Sequence, residues 1–385
     1  LVYEWIKGSS VIEIMEHMTM PKDARDDVTA GLTKGVIEDL DAVGFRVLDM
    51  KPAHVIVRTE KGQRLLCTRT GKTAYALVDF ELLERTPHHS EEVARLRRNE
   101  YLRRQRDRFI QQVMPVFPAY FHLVEPMGVR YVFGHAESTH GLLWVAGQDP
   151  ALFDYFLPER WRRTSCKKLS KSNDVYYTKT KDNINLVWKV SKVGERPAVD
   201  ESSGQGRQIA AYGYNSPFEE FSIALELSRK GVNTVYPRAI YMAGLEVDKP
   251  NYIEDSRRFA SHAPLLTPSG EPILRPNHNY ITVWGFWNGL DEMLTTQNPV
   301  YCEGINLDVA RNSGFVSAAE HQQLLALHRE RLHGAGIEDL NLKGSHVLLS
   351  LSTADKIMRC DDGLPEMRHC NFELVQRLDP PGYIP

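Results

Sequence analysis

Residues 44–57, GFRVLDMKPAHVIV, align without gaps with residues 336–349, GIEDLNLKGSHVLL. Farther along, residues 78–83, VDFELL, align with residues 370–375, CNFELV. Asp49 and Asp79 are therefore separated by the same 30 residues as Asn341 and Asn371. Two motifs that keep one offset indicate an internal repeat, and this repeat governs how the rest of the chain is interpreted.

Each copy of the repeat has the same order of local signals. Polar runs of helical character cover about 23–43 and about 317–333, and each ends near a glycine. Short β-branched runs follow in the first copy at 54–58 and 74–80. We therefore predict a helix, a tight loop, a hairpin and an acidic turn in each copy.

The motif formed by Asp49, Lys51 and His54, followed by an apolar strand and Asp79-Phe80, resembles the core of the protein-kinase-like superfamily. The resemblance implies that Asp49 orients or deprotonates an accepting hydroxyl, that Lys51 contacts the transferred phosphate, and that His54 and Asp79 bind metal. His54 stands where protein kinases have asparagine. With this histidine the motif resembles that of the lipopolysaccharide sugar kinases and other atypical small-molecule kinases. Glu81 replaces the usual glycine, so an activation loop that flips is not expected. ATP and Mg²⁺ are the implied cofactors.

Phosphoryl transfer requires the same residue types. Carboxylates hold Mg²⁺, and a lysine neutralises charge on the phosphate oxygens. The alternative is structural, because aspartates are also common turn and cap residues of a hairpin. The pair of motifs together with the repeat favours the kinase-like interpretation.

A second set of signals resembles the amino-terminal lobe of a kinase. Residues 174–179 and 185–190 predict two strands, and the second resembles the strand that carries the phosphate-binding lysine, here Lys189. A helix at 218–227, capped by Ser216 and with Pro217 at its first position, resembles the αC helix. Glu220 is the expected partner of Lys189, and Glu219 is a close alternative. Strands are also predicted at 234–241 and 280–286, and a purely structural lysine remains open because no glycine-rich loop precedes Lys189.

The second copy lacks the acidic groups of the first. Asn341 cannot accept a proton as a carboxylate does, and Asn371 offers a neutral amide where magnesium prefers charge. Lys343 keeps the position of Lys51 and is a candidate cofactor-binding residue. The resemblance therefore implies a pseudokinase in the second copy.

The fold class expected from these signals is α+β and protein-kinase-like, with a C-lobe-like first module and a bilobal second module. The predicted boundaries are 1–111 for the first module, 112–168 for a linker or insertion, 169–282 for the amino-terminal lobe of the second module and 283–385 for its degenerate C-lobe. The opening residues 1–6 resemble a strand entering a hinge. We expect a lobe upstream of Leu1; sharing of the lobe around Lys189 in a permuted arrangement is the alternative.

Three further stretches carry candidate features. Arginines crowd a predicted helix at about 90–111, which is either a basic docking face or, with its interspersed acids, a salt-bridged surface. His135 and His140 match no zinc-binding helix motif, so aromatic core is the favoured role of their surroundings. Gly204-Gln205-Gly206 predicts a flexible loop within 199–208.

Composition limits the function classes. Hydrophobic residues make up 42% of the 385, the net charge is −3, and five scattered cysteines form no zinc or disulfide pattern. Nucleic-acid binding gains no support from this charge, and no apolar run is long enough to span a membrane. We expect a cytoplasmic phosphotransferase that binds nucleotide and either a small-molecule or a protein acceptor. The alternative is a non-catalytic tandem pseudokinase that binds nucleotide or a protein partner.

Overall fold

The computed structural model describes residues 7–60, 64–68, 71–110, 117–170, 173–247, 253–290, 292, 295, 302–361 and 363–378. The fold is mixed α+β, with several separate sheets. The chain divides into two compact units, Leu1–Leu96 (unit 1) and Arg97–Pro385 (unit 2). The predicted strand at the start of the chain, residues 1–6, lies outside the described residues.

The described residues of unit 1 form two helices and five short strands, followed by a helix that crosses the unit boundary. In chain order these are Ser9–Ser10 (β1), Val11–His17 (α1), Lys22–Ala42 (α2), Phe45–Val47 (β2), Val55–Val57 (β3), Tyr75–Leu77 (β4), Leu83–Arg85 (β5) and Pro87–Arg106 (α3). The strands form one sheet in the order β1-β3-β4 and a separate pair, β2-β5. The small core contains five buried residues, Val11, Met15, Val36, Val55 and Val57.

Unit 2 begins with a strand-rich region. Its elements are His122–Val124 (β6), Tyr131–Ala136 (β7), Gly141–Ala146 (β8), Pro158–Trp161 (α4), Cys166–Lys168 (β9), Val175–Lys179 (β10), Asn185–Val190 (β11), Gly204–Tyr212 (α5), Pro217–Arg229 (α6), Tyr236–Met242 (β12), Arg257–His262 (α7) and Tyr280–Gly285 (β13). The strands make one eight-stranded sheet in the order β6-β7-β8-β12-β13-β11-β10-β9. Neighbouring strands of this sheet are antiparallel throughout.

Strands from the range predicted to be a linker or insertion, 112–168, belong to this sheet. Strands β7 and β8 form a hairpin whose second strand pairs with β12, and β9 pairs with β10 at the other edge. The aromatic residues of this range, Trp144, Trp161, Phe153, Tyr155 and Phe156, are buried. Sequence alone suggested a separate segment because β8 and β12 are far apart in the chain, and only their pairing shows that they belong to one sheet.

The carboxyl-terminal part of unit 2 contains Cys302–Asn306 (β14), Leu307–Asn312 (α8), Ala318–Gly334 (α9), Ile337–Asp339 (β15), Val347–Ser352 (β16), Arg368–His369 (β17) and Val375–Arg377 (β18). Its strands form the sheet β14-β16-β17 and the pair β15-β18. Unit 1 has the same topology in β1-β3-β4 and β2-β5. The two parts of the chain therefore share one arrangement of sheet and strand pair.

The pairs β2-β5 and β15-β18, and the pairs β3-β4 and β16-β17, agree in register residue by residue at an offset of 292. Phe45 pairs with Arg85 as Ile337 pairs with Arg377. Val55 pairs with Leu77 as Val347 pairs with His369. Helices α2 and α9 end at Ala42 and Gly334, and Gly44 and Gly336 follow with φ of 83° and 73°, the left-handed conformation that glycine adopts most easily.

Helix α5 replaces the flexible loop expected around Gly204. Ser203 caps this helix by accepting a hydrogen bond from the backbone N–H of Gly206 at 2.9 Å. A Cβ atom at Gly206 would meet the carbonyl oxygen of Asp200 at 1.9 Å, so the glycine here allows close packing instead of flexibility. The prediction was wrong because glycine in a sequence does not distinguish these two roles.

Helix α6 begins as the sequence predicted. Ser216 accepts a hydrogen bond from the backbone N–H of Glu219, and the Glu219 carboxylate accepts one from the backbone N–H of Ser216, which makes a capping box. Phe218 and Phe221 pack against aromatic residues of the sheet, including Tyr131, Trp144 and Trp284. Across the part of the chain that the structure describes, no helix combines the length and apolarity that crossing a bilayer requires.

Candidate functional site

The four residues proposed for the first centre lie along one loop and one strand end of unit 1. Lys51 Nζ donates a hydrogen bond to Asp49 Oδ2, and both side chains are about half exposed. His54 Nε2 lies 3.4 Å from Asp79 Oδ2. Asp79 has a φ of 66°, a left-handed conformation that aspartate tolerates better than most residues. The loop thus holds one carboxylate beside the lysine and the other beside the histidine.

The electrostatics of this centre follow from these pairs. The hydrogen bond to Asp49 and its negative charge raise the pKa of Lys51, so the lysine stays cationic. Asp79 Oδ1 accepts a hydrogen bond from the backbone N–H of Glu81, and its Oδ2 faces His54. Mg²⁺ prefers oxygen ligands and usually keeps several waters, so Asp79 suits it better than the nitrogen of His54 does. Within the described residues, no group of three or more His, Cys, Asp or Glu side chains is arranged to hold a metal by itself.

Lys189, the lysine predicted from its strand, is buried between two glutamates. Its Nζ lies 2.9 Å from Glu220 Oε2 and 3.3 Å from Glu373 Oε1. Strand β11 carries the lysine, helix α6 carries Glu220, and the turn after Asn371 carries Glu373. One cation therefore faces two carboxylates in a region that excludes most solvent.

Burial and mutual repulsion set the protonation of this cluster. Burial raises the pKa of Glu220 to about 7, and the charge of Glu373 adds to the rise, although Lys189 opposes it. Burial also acts against the charged forms of Lys189 and Glu373. The charges of Glu220 and Glu373 nevertheless raise the pKa of Lys189, and the charge of Lys189 lowers the pKa of Glu373. Lys189 and Glu373 are thus the charged pair, and Glu220 is the member that most readily takes up a proton.

Glu219, the alternative partner of Lys189, is engaged elsewhere. Its carboxylate accepts a hydrogen bond from the backbone N–H of Ser216 and lies 3.0 Å from Arg258 Nη1. Because adjacent helix residues point about 100° apart, only one of the two glutamates can face the strand. The capping box leaves that position to Glu220.

Asn371 and Lys343 stand in the second copy where Asp79 and Lys51 stand in the first, but their side chains make different contacts. Asn371 Nδ2 donates a hydrogen bond to His346 Nε2 at 3.0 Å. His346 Nδ1 donates to the buried Asp339 Oδ2 at 2.6 Å. Lys343 is exposed and its backbone carbonyl accepts a hydrogen bond from the N–H of His346. The structure therefore brings together Asn371 and His346, but it gives the Lys343 side chain no role like that of Lys51.

A buried histidine network lies behind His346. His328 Nε2 is 3.1 Å from His369 Nδ1, and His369 Nε2 is 3.9 Å from Asp339 Oδ2. Burial lowers the pKa of His328 to about 3 and that of His369 to about 4, so both imidazoles are neutral near pH 7. Burial alone would raise the pKa of Asp339, but the hydrogen bond from His346 and the nearby imidazoles bring it below its usual value.

The repeat shows that the polar residues of this network stand where unit 1 has apolar residues. The positions equivalent to His328, Asp339 and His369 are occupied in unit 1 by Val36, Val47 and Leu77. In unit 1 the carboxylate facing the histidine is Asp79, on the exposed side of the ring, whereas in unit 2 it is Asp339, on the buried side. The sequence alone did not lead us to this network or to the ion pair of Glu373. In the aligned repeat, polar residues stand opposite Val36, Val47 and Leu77, and this difference could have indicated the network.

The arginine-rich helix α3 uses several of its arginines inside unit 2. Arg97 pairs with Asp182 and Asp154, and Arg104 pairs with Asp149 at 2.8 Å. Arg103 and Arg104 also bind Glu100 within the helix. These contacts support the salt-bridged interpretation of the helix. His135 lies on β7 and His140 in the turn before β8, within the hairpin.

Comparison with known proteins gives no relative for this chain: no family model, no curated protein and no solved structure matches it.

Proposed function

We propose that this protein is a kinase-like phosphotransferase whose acidic centre lies in unit 1 and whose unit 2 is a degenerate, regulatory copy. One observation carries the proposal. Two segments share sheet topology and strand register at a constant offset, yet Asp49 and Asp79 in the first stand opposite Asn341 and Asn371 in the second. Two copies with the same strand register, of which only one keeps its aspartates, are the expected result when an active copy and an inactive copy diverge.

The contacts around Lys189 support the kinase-like part of the proposal. A lysine on a central strand paired with a helix glutamate is the arrangement that positions ATP phosphates in protein kinases. In unit 2 a second glutamate, Glu373, also forms an ion pair with Lys189, and position 371 carries an uncharged asparagine. The lysine is therefore neutralised by the protein itself, which supports a regulatory role for unit 2.

In unit 1 the roles follow from the residues present. Bound Mg²⁺ would supply charge neutralisation on the phosphate oxygens. Asp79 would hold the metal, with His54 beside it orienting the carboxylate. Asp49 would accept the hydrogen bond of the attacking hydroxyl, and Lys51 would neutralise the transferred phosphate while its link to Asp49 keeps both side chains in place.

The test is ATP turnover by the full chain with Mg²⁺, comparing Asp49→Asn and Asp79→Asn with the wild type. These substitutions give unit 1 the residues of unit 2 without changing side-chain volume. We expect each to lower turnover at least about 100-fold, in line with losing a positioned acid–base or charge-neutralising group. The matched controls Asn341→Ala and Asn371→Ala should leave chemistry in unit 1 within a few-fold of wild type.

A second candidate is a non-catalytic tandem pseudokinase, favoured by the closed triad of Lys189, Glu220 and Glu373. It predicts no turnover above that of Asp49→Asn, together with a nucleotide-dependent rise in melting temperature that persists when Mg²⁺ is chelated. That pair of results would reject the phosphotransferase proposal. Turnover that Asp49→Asn and Asp79→Asn leave unchanged would reject the assigned roles.

A further inference from the structure

The backbone places two leucines side by side in each copy of the repeat. The N–H of Leu340 donates a hydrogen bond to the carbonyl of Leu374 at 3.0 Å. In unit 1 the N–H of Leu48 donates to the carbonyl of Leu82, also at 3.0 Å. Both pairs obey the 292-residue offset, so they are the same structural position in two contexts.

Their exposure is opposite. Leu340 and Leu374 are 3% and 7% exposed. Leu48 and Leu82 are 61% and 49% exposed. Leaving two adjacent leucines in water forgoes the stabilisation that their burial would give, roughly 1.5–3 kcal/mol for each side chain. The pair in unit 1, which we call the leucine face, is therefore an apolar surface with a covered counterpart in the same chain.

Unit 2 shows what covers such a face. Leu340 and Leu374 form a buried cluster with Ile209 of α5, and Val199, Tyr212 and Tyr214 pack against that cluster. Polar contacts fix the helix in place. Gln205 Nε2 donates a hydrogen bond to the carbonyl of Leu340 at 2.8 Å, and the Tyr212 hydroxyl donates to the carbonyl of Val375 at 2.9 Å.

The charges at the edge of the face point to the same kind of partner. Glu81 precedes Leu82 and is exposed. Glu373, the residue equivalent to Glu81, meets Lys189 at 3.3 Å in unit 2. A partner of the leucine face should therefore bring a basic group to Glu81 together with an apolar helix.

We propose that the leucine face is a docking site for a partner lobe that presents a short amphipathic helix built like α5. The helix would place an aliphatic residue and a tyrosine, three positions apart as Ile209 and Tyr212 are, on Leu48 and Leu82. Side-chain donors next to them would bond the carbonyls of Leu48 and Leu83. This proposal goes beyond phosphate transfer, because it rests on the repeat and on burial and holds whether or not unit 1 turns over ATP.

The experiment uses the full chain and a peptide with the sequence of residues 199–215, VDESSGQGRQIAAYGYN, as the probe. A covalent staple between positions 204 and 208, both exposed in α5, stabilises the helix because a nine-residue helix is marginal in water. A photoreactive benzoylphenylalanine replaces Tyr214. We expect saturable binding and labelling of unit 1 next to Leu48 and Leu82, mapped by mass spectrometry.

Three matched variants decide the outcome. Leu48→Glu and Leu82→Glu should each weaken binding by about tenfold or more, because a charge replaces the centre of a small apolar contact. Ile37→Glu, on α2 and 46% exposed, should leave it unchanged. A peptide carrying Ile209→Glu should not label unit 1.

Three results would overturn the proposal. The first is labelling no greater than with the Ile209→Glu peptide. The second is labelling that Leu48→Glu and Leu82→Glu do not reduce. The third is light scattering that shows a dimer of the full chain which Leu48→Glu dissociates, because the face would then serve self-association. None of these readouts depends on ATP, so the two proposals fail independently.

Discussion

Lys189 is the residue on which the electrostatics of unit 2 depend. It is the cation between Glu220 and Glu373, and both carboxylates are almost fully buried. Removing the partner of a buried charge is far more destabilising than removing an exposed one, because the remaining charge cannot be solvated. The stability of this region should therefore respond sharply to the lysine.

We expect Lys189→Met to lower the free energy of unfolding of unit 2 by about 3–5 kcal/mol, measured by denaturant unfolding. Adding Glu220→Gln and Glu373→Gln to the same variant should restore much of the loss, because no unpaired buried charge remains. Lys343→Met, at an exposed lysine, should change stability by less than about 0.5 kcal/mol. Equal effects of Lys189→Met and Lys343→Met would contradict the buried triad.

Position 371 illustrates how one residue changes its surroundings. In unit 1 the carboxylate of Asp79 faces His54 from the exposed side. In unit 2 the amide of Asn371 donates a hydrogen bond to one ring nitrogen of His346, and Asp339 accepts a hydrogen bond from the other. The loss of the exposed carboxylate is thus accompanied by a buried one that keeps the histidine oriented.

Helix α9 and strands β15 and β17 together hold the buried residues His328, Asp339 and His369. These three elements make the stability of unit 2 depend on pH. Both histidines have a folded-state pKa below the value of about 6.5 for an exposed histidine. Their contribution to stability is therefore complete above pH 6.5. It is lost as the pH falls toward 4, because the unfolded chain takes up protons that the folded chain refuses.

We expect the double variant His328→Val with His369→Leu, which installs the residues of unit 1, to remove this pH dependence. The difference in unfolding free energy between the variant and the wild type should shift in favour of the variant by roughly 2 kcal/mol for each pH unit between 6 and 4.5. Comparing two proteins at each pH cancels the opposite trend that Glu220 contributes. The groups facing the two imidazoles are Asp339, His346 and Arg331, and all are retained in the variant. A difference that is constant with pH would contradict the assignment.

At the scale of elements, sequence reasoning succeeded where the signals were local. The capped start of α6 and the strand of Lys189 were predictable from Ser216, Pro217 and the apolar run that ends at Val190. It failed where the deciding contact is distant in the chain. The pairing of β8 with β12 and the approach of Glu373 to Lys189 are properties of tertiary structure, and no window of sequence contains both partners.

Over the whole molecule, the two units differ in how much apolar surface they bury. Among the residues that the structure describes, unit 1 has one small cluster of buried residues, whereas unit 2 has clusters on both faces of its eight-stranded sheet. A small core contributes less stabilisation than a large one. Heating should therefore unfold the units in separate steps, with unit 1 first.

Equivalent positions in the repeat allow the two steps to be assigned by calorimetry. Val55 and Val347 occupy the same place in the two copies, and both are completely buried. Val55→Ala should lower only the first transition and Val347→Ala only the second, each by an amount that corresponds to about 2 kcal/mol. If either variant moved both transitions equally, the units would not unfold independently.

The constant offset of 292 also has a genetic consequence. The residues that pair between strands and the glycine after each long helix keep this offset from Gly44 to Thr86 and from Gly336 to Leu378. A recombination event between these two stretches of the gene would exchange charges without shifting any strand by a residue. A chain with these two stretches exchanged would therefore keep the shared strand register.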